Sequence, residues 1–142
     1  MQPVMTEEEL NAYLIEVYPQ IFEQFPKHKC TKIQPGRVTV EVLADQRHLR
    51  AGGTVSGPTL FSLADMGGYA CALSHIGKEA LAVTTNLDVN FMRKADPGMI
   101  YADCQILKMG KRLMVFNASI WQDEPSNCIA FATGTYAIPP SK

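Results

Sequence analysis

Between Arg50 and Lys78 the only Asp, Glu, Lys or Arg is Asp65. Around it Leu60, Phe61, Leu63, Ala64, Met66, Tyr69, Ala70, Cys71, Ala72 and Leu73 supply apolar side chains on every side of a helix. A helix that is apolar all round must be surrounded by protein. Ser56 is a good N-cap, Pro58 falls early in the helix where its missing N–H costs little, and Gly77 closes it. The spacing predicts one long central helix over residues 56–76. Within it Gly67-Gly68 costs about 1 kcal/mol per glycine relative to Ala and permits close approach of another backbone. A carboxylate in such a helix is expensive unless it is paired, hydrogen-bonded or protonated, which makes Asp65 the first candidate functional residue.

The flanking segments set the fold class. Thr6 and Glu9 form a capping-box pattern before Leu10, Leu14, Val17, Ile21 and Phe25, which recur at helical spacing. Pro19 predicts a kink or two short helices, and Pro26 ends the stretch. Residues 30–34 and 38–43 read as a strand pair around the Pro35-Gly36 turn. Residues 45–55, with Gly52-Gly53, read as a loop. After the central helix come four strand-like runs at 82–91, 98–108, 112–121 and 128–138. In the first, Val83, Leu87, Val89 and Phe91 are expected on one face, opposite Thr84, Asn86, Asp88 and Asn90. The order is helix, two strands, buried helix and a four-strand meander. It predicts a single α+β domain over residues 1–142, with one antiparallel sheet wrapped around the central helix. Residues 1–27 form an N-terminal helical segment and 28–138 the core.

Thirteen Lys and Arg against fourteen Asp and Glu give a net charge of −1, which excludes a basic face for nucleic acid. No apolar run approaches the ~20 residues of a membrane span. Glu7, Glu8 and Glu9 break the basic-then-apolar order of a secretion signal, so a cytoplasmic protein without a membrane partner is expected. Cys30, Cys71, Cys104 and Cys128 lie far apart in apolar segments and read as buried thiols. His28, His48 and His75 are equally isolated, so neither a metal nor a cofactor is expected.

A second chemical element precedes the helix. The run Gly53-Thr54-Val55-Ser56-Gly57-Pro58 places free backbone N–H groups and the positive dipole end near Gly57. Such donors polarise a carbonyl or hold a developing oxyanion. Gly57 and Asp65 are eight residues apart, which is ~12 Å of helix. One carbonyl group cannot meet both on the same helix. If they share a substrate, Asp65 of one copy faces Gly57 of another, and a homodimer or homotetramer with interfacial sites is expected.

The run from Gly53 to Asp65, with Leu63-Ala64-Asp65 in the helix, resembles the motif of hot-dog fold acyl-CoA thioesterases, specifically the PaaI-like group of the phenylacetate pathway. The stretch Asn86-Leu87-Asp88-Val89-Asn90-Phe91-Met92-Arg93-Lys94-Ala95 is similar to that family's strand ending in Asn-Phe/Tyr-Leu-Arg-Pro-Ala. The resemblance implies hydrolysis of acyl-CoA to free acid and CoA. Asp65 matches the catalytic carboxylate, and Gly57 the glycine whose N–H polarises the carbonyl from the other subunit. Ser56 stands in place of the usual His, Pro58 in place of a second Gly, and Arg50 where an Asn often lies. Pro58 has no N–H, so the oxyanion contact falls to Gly57 or Thr59.

Phe61, Tyr69, Phe91 and the N-terminal helix with Tyr13, Tyr18 and Phe22 are candidates to line an acyl pocket. Asn90, on the resembling strand, is a further substrate-binding candidate. Arg93, Lys94, Lys108, Lys111 and Arg112 are candidates for CoA phosphates. Other readings compete. Ser56 as a nucleophile with His75 or His48 lacks the G-x-S-x-G context, and His75 lies nineteen residues along the same helix. Hydration chemistry lacks a matching His. An acyl- or CoA-binding protein without turnover, or a helix serving only as a dimerisation face, remain as alternatives.

Overall fold

A computed structural model describes residues 1–20 and 28–140. Helix α1 (Glu7–Val17) starts at a complete capping box: the Thr6 N–H donates to Glu9 Oε1 at 3.0 Å, and the Glu9 N–H to Thr6 Oγ1 at 3.2 Å. It stops at Tyr18, because the residue before Pro19 is pushed out of helical geometry. Helical backbone resumes at residues 19–20, in line with two short helices. Ile21, Phe22, Phe25 and Pro26 lie outside the described residues.

Strands β1 (Lys29–Gln34) and β2 (Arg37–Ala44) form the expected hairpin. Helix α2 (Gly57–Ile76) follows, then β3 (Val83–Phe91), β4 (Gly98–Met109), β5 (Leu113–Trp121) and β6 (Ala130–Ala137). All pairings are antiparallel, in the order β1-β2-β4-β5-β6-β3. The sheet wraps α2, which is the hot-dog arrangement. Among the described residues no helix is long and apolar enough to cross a membrane.

The last four strands are not one meander. β3 crosses to the far edge beside β6, and β4 begins beside β2. The linker explains this. The Met92 and Arg93 N–H groups both donate to the Ile129 carbonyl, and the Val55 N–H donates to the Ala95 carbonyl. The chain is therefore tied across the start of α2 instead of folding back on β3.

The expected alternation in β3 also fails at one point. A bulge falls between Thr84 and Asn86, leaving Thr85 out of register. Thr84, Leu87, Val89 and Phe91 now stand opposite Tyr136, Gly134, Ala132 and Ala130, the buried face of β6. Val83 turns to the other face and is 54% exposed. One extra residue thus exchanges Val83 for Thr84 on the side that faces the helix.

Nor is α2 covered all round. Leu60, Leu63, Ala64 and the run from Met66 to His75 are buried, whereas Pro58 and Phe61 are exposed and Ser62 and Asp65 are half-buried. These four positions share one stripe at helical spacing, left open by the single chain. Gly67 and Gly68 do not face a second backbone or a partner; both are buried against the sheet. A Cβ on Gly67 would overlap Cys104 Sγ, and one on Gly68 would overlap the Phe116 ring. Phe116 is fully buried and cannot yield. Gly68→Ala gains about 1 kcal/mol of helix propensity and loses more to overpacking. Chemical denaturation should show a net loss of about 1–3 kcal/mol.

The two edges of the sheet differ. On β1, Asn11 of α1 imitates a neighbouring strand. Its Nδ2 donates to the Cys30 carbonyl and its Oδ1 accepts the Cys30 N–H, both at 2.8 Å. That side-chain amide blocks one edge from pairing. β3, at the other edge, has no such cover among the described residues. Asn11→Ala should cost about 2 kcal/mol, at about 1 kcal/mol per net hydrogen bond, and hydrogen exchange should show the Cys30 amide losing protection.

Candidate active site

Asp65 occupies the third turn of α2, where the open stripe meets the start of β3. Its Oδ1 accepts two hydrogen bonds, from Thr84 Oγ1 at 2.6 Å and from the Tyr136 hydroxyl at 2.8 Å. Tyr136 also reaches the Asp65 main-chain carbonyl, at 2.9 Å. Thr84 and Tyr136 are direct cross-strand partners, so the Thr85 bulge is what aims both hydroxyls at one carboxylate. Tyr136 is buried, with its ring stacked on Tyr69 at 6.0 Å and tilted against Phe116 at 5.9 Å. Burial, then the Asp65 charge, pushes its phenol far above the usual tyrosine range, so it remains a donor.

A cleft of about 710 Å³ opens beside Asp65. Tyr69, Met66 and Ser62 line it from α2, Ala80, Ala82, Val83 and Thr84 from the stretch into β3, Tyr136 from β6, and Val17, Tyr18 and Gln20 from the end of the N-terminal helix and just beyond. Among the described residues no Lys or Arg lines it. Tyr18 takes the place expected of the N-terminal segment, whereas the ring of Tyr13 lies 5.6 Å from Lys78 Nζ. Phe22 falls outside the described residues.

Gly57 lies in a separate cleft of about 450 Å³ with Phe91, Met92, Arg50, Arg93 and Lys94. The Phe91 ring is so close that a Cβ on Gly57 would sit 3.6 Å from it. Among the described residues nothing accepts the Gly57 N–H. The Thr59 N–H donates to the Ser56 carbonyl and hydroxyl, at 3.1 and 3.4 Å, and the two hydroxyls bond to each other at 2.8 Å. Thr59 is therefore spent on the cap, and of the two oxyanion donors considered only Gly57 is available. The Ser56 hydroxyl is likewise engaged as a cap, not poised as a nucleophile.

The remaining candidates scatter. Phe61 is 42% exposed and lines neither cleft. Asn90 pairs with Phe131 on the face of the sheet away from α2. Lys111 and Arg112 are exposed in the β4–β5 turn, at the sheet end shared with Val83. Lys94 joins Arg93 in the second cleft, while Lys108 lies in β4 opposite Val115. His75 is structural: the Gly36 N–H donates to its Nε2 at 2.9 Å, which leaves Nδ1 facing the Cys71 carbonyl and Ser74 hydroxyl. That bond ties the end of α2 to the β1–β2 turn, ~28 Å along the helix from Ser56.

Thr84 and Tyr136 escaped the sequence reading. The Thr84-Thr85 doublet, which breaks the apolar alternation, and a single Tyr in the small-residue strand β6 were the available signals.

Residues 52–129 match the Thioesterase superfamily model, and the chain belongs to that family. A crystal structure of a provisionally named thioesterase from Silicibacter sp. TM1040 is 41% identical, covers 99% of this chain and 96% of its own, and superposes with a TM-score of 0.88. A provisionally named esterase from Saccharolobus solfataricus is 28% identical over 96% of this chain and 87% of its own length. The phenylacetic acid degradation protein PaaI of Thermus thermophilus, in the structure of a point mutant, is 20% identical. It covers 85% of this chain and 99% of its own with a TM-score of 0.72, a likeness of fold. The family and the relatives support thioester hydrolysis as the general activity.

Proposed function

We propose that this chain hydrolyses acyl-CoA thioesters at sites completed by two copies. The observation that carries this is the placement of the two half-sites along β3. Asp65 meets Thr84 at the start of the strand, Gly57 meets Phe91 at its end, and β3 is the uncovered edge of the sheet. Antiparallel pairing of β3 with its copy, centred near Leu87, sets the Asp65 end of one chain beside the Gly57 end of the other. The same pairing sets the second copy beside the open stripe of α2.

The linings divide the substrate between the two halves. The Asp65 cleft, without cations among the described residues, suits the acyl group; the Gly57 cleft, with Arg50, Arg93 and Lys94, suits the phosphates of CoA. The Gly57 N–H and the helix dipole stabilise the carbonyl oxygen as negative charge develops there. Asp65 takes a proton from water as the water oxygen adds to the carbonyl carbon. The C–S bond then breaks, and the thiolate leaves with that proton. A cytoplasmic setting, where CoA thioesters are made and used, accords with this reading.

The departures at Ser56 and Pro58 favour one second reading, an acyl-CoA binder without turnover. A panel of acyl-CoA thioesters, read by thiol release, separates the two: steady turnover supports hydrolysis, and saturable binding without thiol release supports the binder.

A further inference from the structure

Both side-chain donors to Asp65 converge on the same carboxylate oxygen. Thr84 and Tyr136 meet at Oδ1, and among the described residues no group donates to Oδ2. Tyr136 does something Thr84 does not: its single proton is shared between Oδ1 and the main-chain carbonyl of the same residue. This bridge closes a ring through the Asp65 Cα, Cβ and Cγ atoms. A carboxylate held by one hydroxyl still rotates and exchanges its two oxygens. One tied to its own backbone through a buried ring does not. The ring itself is held by Tyr69 and Phe116, at 6.0 and 5.9 Å.

We propose that Tyr136 is a positioning residue that fixes the Asp65 rotamer and divides the carboxylate, Oδ1 held by hydroxyls and Oδ2 kept as the reacting oxygen. The inference rests on the reading of Asp65 as the reactive carboxylate. Oδ1 has its lone pairs engaged by two short bonds, so the proton from water goes to Oδ2. The line of attack is then set before substrate arrives, which is where positioning contributes most to rate.

Tyr136→Phe removes one oxygen atom and keeps the buried ring. Its kcat should fall about 10–100-fold with KM changed by less than about threefold. Thr84→Ser, which keeps the second hydroxyl, should retain most of the rate. A Tyr136→Phe protein with unchanged kcat, or one whose loss lies in KM and not in kcat, overturns the inference, whatever its melting temperature. Asp65→Asn measured alongside keeps the two claims apart: if that variant still turns over, the reading of Asp65 has failed and the role of Tyr136 falls with it.

Discussion

Asp65→Asn should lower thioester turnover about 10²–10⁴-fold, the range expected for loss of a general base, while leaving the fold intact. The structure supplies the reason for both halves. An Asn side chain keeps a carbonyl oxygen at the Oδ1 position, so Thr84 and Tyr136 still have their acceptor. What disappears is the charge and the basic Oδ2. KM should change little, because Arg50, Arg93 and Lys94 stand in the other cleft. Initial rates of thiol release, together with a thermal melt of each protein, check the result. A variant that melts like wild type but hydrolyses at more than a tenth of its rate would show that the carboxylate is not the reacting group.

The second large effect concerns stability and pH. His28 is 4% exposed, and among the described residues neither ring nitrogen has a hydrogen-bond partner. Burial, with a smaller contribution from nearby His48, lowers its pKa from 6.5 to about 4. The unfolded chain therefore binds a proton below pH 6.5 that the folded chain refuses until about pH 4. Stability due to neutral His28 is fully present above that window and is lost as pH falls through it. The loss amounts to about 3 kcal/mol, at 1.36 kcal/mol per pKa unit. His75, also lowered by burial, contributes in the same direction. Denaturant titrations at pH 7 and pH 4 should show the drop in wild type, and His28→Leu should remove most of it. Equal pH slopes in the two proteins would contradict the assignment.

The sequence carried the architecture well because its strongest signal, an all-round apolar helix with one acid, is set by burial alone. The capping box, the Ser56 cap and the strand segments follow from local chemistry and lie close to where their residue types require. The register of β3 does not. A bulge at Thr85 is a choice between two pairings with β6, and alternation in one strand cannot show it. The same bulge hid Thr84 and Tyr136 from the site. The crossing of β3 to the far edge was hidden for a similar reason, since it depends on bonds from Met92, Arg93 and Val55 to distant carbonyls. Gly67-Gly68 does mark a close approach, but to the Cys104 and Phe116 side chains and not to another backbone. Small residues announce contact without naming what touches them.

The proposed division of one site between two copies can be tested without a structure of the complex. Asp65→Asn disables the base, and Gly57→Leu fills the second cleft against Phe91. Each variant alone should be inactive. Mixed, unfolded and refolded together, they form hybrid dimers in which one site joins an intact Asp65 from one chain to an intact Gly57 from the other. Recovery of about a quarter of wild-type activity in an equal mixture, half of the dimers being hybrids with one working site of two, is the expected result. No recovery in a mixture that demonstrably contains hybrid dimers would contradict the account.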